Sequence, residues 1–230
     1  MSKGKLIVID GIDGSGKGTQ VDLLLARLNQ EGWPSLKVDF PKHGEKSAGL
    51  VDNYLNGKYG GASEVNPFVA SFFYALDRYD SKQEMHEWLA SGKNIISNRY
   101  VTANMGHQGA KFGTAEKRRA YFEWLDNYEY NVFGIPRPDL NIILHVPAEK
   151  AQELVDNKQQ RLYTNGQARD LHEADIEHLK RAEQTYLEMC RLFPSYELVE
   201  CVRDREMMPV EEIHELIWEK VQKLVVLAIL

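Results

Sequence analysis

A chain of 230 residues with 43% hydrophobic content is long enough for one well-packed domain, and its net charge of −6 argues against any general affinity for nucleic acid. Cys190 and Cys201 stand in unrelated contexts without C-x-x-C spacing, which argues against a zinc site or a disulfide framework and suits reduced thiols in the cytoplasm. No leader precedes the first strand and no apolar run approaches the ~20 residues that span a bilayer, so no membrane association is expected. The apolar C-terminal run from Leu224 to Leu230 is too short to cross one. Linkers, repeats and low-complexity blocks are missing, so residues 1–230 are expected to form a single domain.

The apolar run Leu6-Ile7-Val8-Ile9 predicts a buried strand, and Gly11-Ile12-Asp13-Gly14-Ser15-Gly16-Lys17-Gly18-Thr19 follows it. Gly11 and Gly16-Lys17 have the G-x-x-x-x-G-K spacing, in which consecutive backbone N–H groups curl round a phosphate and the lysine reaches its terminal oxygens. The helix that starts there adds the positive end of its dipole. Gly11, Asp13, Gly14, Ser15, Gly16, Lys17, Gly18 and Thr19 are therefore the expected nucleotide-phosphate contacts. Gly18 occupies the place where a Ser or Thr normally offers its hydroxyl to magnesium, and the first hydroxyl comes at Thr19. Asp13 and Thr19 are the candidate metal ligands.

Val21, Leu24, Leu25 and Leu28 repeat at helical spacing and predict a helix from Thr19 to Glu31, stopped by Gly32. A short strand, Leu36 to Phe40, ends at Pro41. Gly57 to Gly61 separates a short helix from a long one that begins near Pro67 and carries Phe72 to Tyr79. Aromatics at helical spacing usually belong to the core, and Phe72 is expected there. Asn94 to Ser97 reads as a buried strand that delivers Asn98-Arg99-Tyr100 at its carboxyl end, where ligands sit in open parallel sheets.

Further helical pattern covers 114–132, a strand 140–146 and a short helix from Ala148. The polar stretch Asn157 to Asp170, with Lys158, Arg161, Gly166 and Arg169, cannot bury a face and predicts a mobile loop over the site. An amphipathic helix from His172 to Leu192, a strand from Tyr196 to Val202 and a helix from Pro209 to about Leu227 complete the chain. Alternating strands and helices predict an α/β fold: a three-layer α/β/α sandwich on a roughly five-stranded parallel sheet.

Asp10 to Gln20, then Phe40-Pro41, Ala75-Leu76-Asp77-Arg78, Asn98-Arg99-Tyr100-Val101 with Asn104 and Gln108, Pro136 to Leu140, and an arginine-bearing lid with Asp170 and Glu173 beyond it form an ordered set. That set resembles the thymidylate kinase family, nucleoside-monophosphate kinases of the P-loop NTPase type. The resemblance implies ATP-dependent phosphorylation of dTMP to dTDP with Mg2+, a lid at about 157–171, and a homodimer. It assigns the acceptor monophosphate to Arg78 and Arg99, the acceptor sugar's 3′-hydroxyl to Asp13, and base stacking to Tyr74, with Phe40, Pro41 and Phe73 expected to line the same pocket. Asn104 and Gln108 would meet the base edge. Lys17, Arg99, Arg161 and Arg169 would be catalytic, since phosphoryl transfer between two anions needs cations converging from several segments. No arginine stands in the phosphate loop, so that burden falls on the lid.

Three positions depart from the family pattern: Asn98 replaces an aspartate, and His107 and His172 stand where tyrosines are common. Two other readings stay open. The acceptor could be another deoxynucleoside monophosphate, or the chain could be a P-loop module that holds nucleotide without an acceptor.

Overall fold

The computed structural model describes residues 3–61, 64–156 and 176–225. Five strands, β1 (Leu6–Asp10), β2 (Ser35–Asp39), β3 (Asn94–Asn98), β4 (Leu140–His145) and β5 (Tyr196–Glu200), form one sheet in the order β2-β3-β1-β4-β5. Every pairing in it is parallel. The central strand β1 is buried at all five positions, as a strand covered on both faces must be. The edge strands β2 and β5 are only partly buried, which explains their mixed sequences. Ile9 lies in register with Asn98, so the segments that leave β1 and β3 emerge side by side at the carboxyl edge.

Helices cover the sheet. These are α1 (Lys17–Gln30), α2 (Gly49–Leu55), α3 (Pro67–Asp80), α4 (Lys82–Ala90), α5 (Val101–Gly109), α6 (Ala115–Asp126), α7 (Ala148–Asp156), α8 (Ile176–Leu192) and α9 (Val210–Val225). The main core joins the strands to the inner faces of α1, α5, α8 and α9. A smaller cluster of Val51, Tyr54, Leu55, Val65 and Ala70 holds α2 against α3. The three-layer α/β sandwich on five parallel strands is as the sequence predicts.

Four local features differ from the expectations. Helix α5 has eight of its nine residues buried and so lacks the polar face that periodicity detects. The helix expected over 114–132 changes pitch, continuing α6 as a π-helical stretch, Asn127–Phe133, that turns Glu129 fully inward. The strand expected to reach Val202 stops at Glu200, and a hairpin of β6 (Val202–Arg203) and β7 (Glu206–Met207) follows. Its two turn residues, Asp204 and Arg205, both have positive φ (53° and 67°), the type I′ pattern that matches strand twist. Phe72 is half-buried on the rim of the core, edge-on to Trp124 and Tyr128.

The expected lid, with Arg161, Arg169 and His172, lies outside the described residues, as does the run 226–230. Among the described residues no helix is long and apolar enough to cross a membrane, and both cysteines are free.

Candidate active site

The phosphate loop is built on a buried carboxylate. Asp10, at the end of β1, is fully buried and accepts hydrogen bonds from the Gly11 amide (2.8 Å), the Thr102 hydroxyl and the Tyr186 hydroxyl (3.0 Å). These bonds tie the start of the loop to α5 and α8. Gly11 has φ 145°, and a Cβ there would lie 2.5 Å from the Leu144 carbonyl oxygen, so no larger residue fits. Gly16 caps α1 with no side-chain bond, and the first turn of α1 carries no acid. The positive end of the helix is thus presented to the loop without a neutralising side chain of its own.

Lys17 is buried, and its Nζ donates to the Ile12 carbonyl (2.8 Å) while lying 3.9 Å from Asp13 Oδ1. The ammonium group is therefore held against the loop by the loop's own carbonyl. Asp13 is buried and paired with Arg99. Thr19 is exposed on the first turn of α1, and the space beside Gly18 is open. Among the described residues no three His, Cys, Asp or Glu side chains cluster as a metal cage.

Beside the loop lies a cavity of about 980 Å³. Asp13, Phe40, Pro41, Tyr74, Arg78, Arg99, Asn104 and Gln108, drawn from five segments of the sequence, all line it. The ring of Phe40 packs on Tyr100 (5.7 Å), and Tyr74 stands edge-on to Tyr54 (6.3 Å). The Asn104 amide donates to the Ser71 carbonyl at 3.2 Å. Gln108 is 1% exposed, and its Oε1 has no hydrogen-bond partner among the described residues. Asn98, in place of the family's aspartate, donates from Nδ2 to Asp39 Oδ1 at 2.8 Å.

The two arginines that the family resemblance assigns to the acceptor phosphate differ in what they hold. Arg78 is 2% exposed; its Nε and Nη2 donate to the two oxygens of Glu129 (2.6 and 2.5 Å), and Nη1 donates to the Tyr100 carbonyl (3.3 Å). Burial disfavours its charge, but the Glu129 carboxylate prevails and holds the guanidinium above its usual pKa. The bidentate edge expected to grip a phosphate is thus turned to Glu129. Arg99, by contrast, stands at φ 65° with its amide donating to Ile9 O (3.0 Å), and its guanidinium lies between Asp13 and His107.

Two supports escaped the sequence reading. Glu129 is the anchor of Arg78, and the one available signal was a lone acid between Tyr128 and Tyr130 in an otherwise aromatic stretch. Asp77 is buried; its Oδ2 accepts from the Lys42 amide (2.9 Å) and its Oδ1 from the Ser47 hydroxyl (2.6 Å), which tethers the loop after Pro41 to α3. Its place in the Asp77-Arg78 pair marked it without revealing that role.

The family model described as thymidylate kinase matches residues 9–217. The chain belongs to the thymidylate kinase family. A thymidylate kinase from Mycobacterium tuberculosis (strain H37Rv) is 31% identical over 188 residues, covering 80% of this chain and 85% of that one. A protein named probable thymidylate kinase from Pyrococcus abyssi is 28% identical over 214 residues, 93% of each chain. A solved structure of the thymidylate kinase from Candida albicans shares the fold, with a TM-score of 0.74 at 22% identity over 97% of this chain and 93% of that one. Within this thymidylate kinase family chain, the matched span includes both the phosphate loop and every lining residue of the cavity named above.

Proposed function

We propose that the protein transfers the γ-phosphoryl group of ATP to dTMP, giving dTDP. The observation that carries this reading is Arg99, which touches Asp13 of the phosphate loop while lining the adjoining cavity, so a donor on the loop and an acceptor in the cavity would share one cation. A module that only held nucleotide would need no such convergence.

In this reading Lys17 and the loop amides hold the donor β- and γ-phosphates, and Arg99 grips the acceptor phosphate with its planar fork. Arg78, its fork committed to Glu129, contributes a fixed positive charge to the cavity wall. Asp13 meets the acceptor sugar's 3′-hydroxyl, and Tyr74, with Phe40 and Pro41, stacks on the base. Gln108 Oε1 supplies an acceptor that wants a donor, which thymine offers at its N3–H and cytosine does not. Arg161 and Arg169 of the lid would close over the transferring group. Another deoxynucleoside monophosphate is the second reading, since the cavity at about 980 Å³ is roomy for any single nucleotide.

Mg2+ fits as an ion carried in with the nucleotide. Asp13 offers a hard oxygen, Gly18 offers no hydroxyl, and magnesium ordinarily takes one or two carboxylates with waters and substrate phosphates. When bound, it would supply positive charge against the transferring phosphates. A homodimer is supported by an apolar stripe on α3, where Val69, Leu76 and Tyr79 are 47%, 43% and 47% exposed and share one helical face with Phe72. Sedimentation of Leu76→Glu as a monomer, against a dimeric parent, tests that assembly. Two free cysteines and the nucleotide substrates support a cytoplasmic setting.

The test is a coupled ADP-release assay over a panel of monophosphates. Turnover with dTMP above all others is expected. No turnover with any acceptor would sink the kinase reading, and preference for dCMP or dGMP would move the assignment to the second.

A further inference from the structure

Arg99 is fixed at its backbone by β1 and at its guanidinium by two different groups. Nη2 meets the Asp13 carboxylate, and Nη1 lies 3.1 Å from Nε2 of His107 on α5. An arginine carries donors only, so at this contact Nε2 must accept and the proton of a neutral ring must sit on Nδ1. Nδ1 faces Nε2 of His178 on α8 at 3.4 Å, with the two rings stacked at 5.6 Å and 25°. The direction of donation therefore runs from Arg99 into His107 and from His107 into His178. Burial, and after it the neighbouring Arg99 charge, hold His107 well below the ordinary histidine range, which keeps the ring neutral.

Asp13 meets the guanidinium on the loop side, and His107 meets it at the other Nη. A second acceptor on the far edge fixes the plane, and planar orientation is what bidentate phosphate binding requires. His107 also lines the cavity, and the 6% of it that remains exposed leaves it packed rather than solvated.

We infer that His107 is a positioning residue for phosphoryl transfer: its neutral Nε2 holds Arg99 aimed at the acceptor monophosphate, and His178 fixes the tautomer that lets it do so. The inference rests on the assignment of Arg99 to the acceptor phosphate. A tyrosine, common at this position in the family, would offer a hydroxyl in place of a ring nitrogen.

The experiment compares His107→Leu, which removes the acceptor, with His107→Gln, whose Oε1 can replace it. KM for dTMP should rise about tenfold in His107→Leu and recover to within about threefold of the parent in His107→Gln, while KM for ATP moves less than about twofold in both. An unchanged KM for dTMP in His107→Leu, or equal impairment in both variants, overturns the role. If His107→Leu fails to fold, His178→Leu reads the same chain of bonds. It should raise KM for dTMP and leave that for ATP, and no change there overturns the proposal. Parent turnover in the same assay separates the failures: no dTMP-dependent turnover removes the kinase reading and this role with it, whereas a working parent beside an unaffected His107→Leu removes only the role.

Discussion

The phenol of Tyr186 reaches across from α8 to donate to Asp10 at 3.0 Å, and its ring can lie there only because residue 106 on α5 is glycine. A Cβ at 106 would stand 2.4 Å from the ring carbon Cζ. Burial, with the Asp10 charge second, pushes the phenol well above its ordinary pKa, so it remains a donor throughout the working range. The base of the phosphate loop thus depends on a glycine nearly a hundred residues away.

Gly106→Ala should therefore cost about 1–3 kcal/mol by forcing the ring off its seat, as overpacking does. Tyr186→Phe should cost about 1–3 kcal/mol by removing a donor from a buried carboxylate. Chemical denaturation of both variants checks this. A parent-like midpoint for Gly106→Ala would mean that α5 and α8 can part without penalty.

The Arg78–Glu129 pair invites a larger effect. The side chains are 2% and 0% exposed, so removing one charge strands the other out of water. Glu129→Gln should lose about 3–5 kcal/mol, and Arg78→Met joined to Glu129→Leu should recover part of that loss because no unpaired charge remains. Equal stability of Glu129→Gln and the parent would show that water reaches the guanidinium. Activity is a poor readout here, since Arg78 also walls the cavity beside the phosphate loop.

What the sequence disclosed and what it hid divide along the range of the interaction. The phosphate loop is legible because its glycines, lysine and flanking strand are contiguous. The cavity residues were legible because each sits in a short motif whose order is informative, even though they converge only in the fold. Glu129 was not, because its partner lies 51 residues away and a change of helical pitch, not a periodic pattern, turns it inward. Helix α5 was hidden by its own burial, and the β6–β7 hairpin by a turn of Asp204-Arg205 without the glycine that normally advertises it. His107 was visible as a departure from the family, but its bond to Arg99 was not.

His145, at the end of β4, predicts a pH dependence. Its Nε2 lies 3.1 Å from Glu183 and its Nδ1 2.6 Å from Glu200, and Glu183 also accepts from the Ala148 amide at the start of α7 (2.9 Å). The bond to Glu183, opposed by partial burial and reinforced by Glu200, raises the imidazole pKa above 6.5. A raised folded-state pKa contributes stability that is full below the unfolded value near 6.5 and fades as pH climbs through the folded one. The Tm gap between the parent and His145→Gln should accordingly be widest at acid pH and narrow as pH rises above 6.5. A gap that stays constant from pH 5.5 to about 9 would show that the ring carries no extra proton in the fold.

Lys17 tests the loop directly. Its Nζ now bonds the Ile12 carbonyl at 2.8 Å and approaches Asp13 at 3.9 Å, contacts that a bound anion would share or replace. A cation placed where negative charge develops stabilises the transition state more than the ground state, because the donor phosphates can still be held by loop amides. Lys17→Ala should cost at least ~10² in kcat while leaving dTMP binding nearly intact. Asp13→Ala should do the reverse, weakening dTMP use far more than ATP affinity, since its carboxylate lines the cavity and anchors Arg99. Steady-state kinetics on the two variants with both substrates varied separates these outcomes. Parallel loss of ATP and dTMP affinity in Asp13→Ala would instead mean that the loop collapses when the Asp13 contacts to Arg99 and Lys17 are removed.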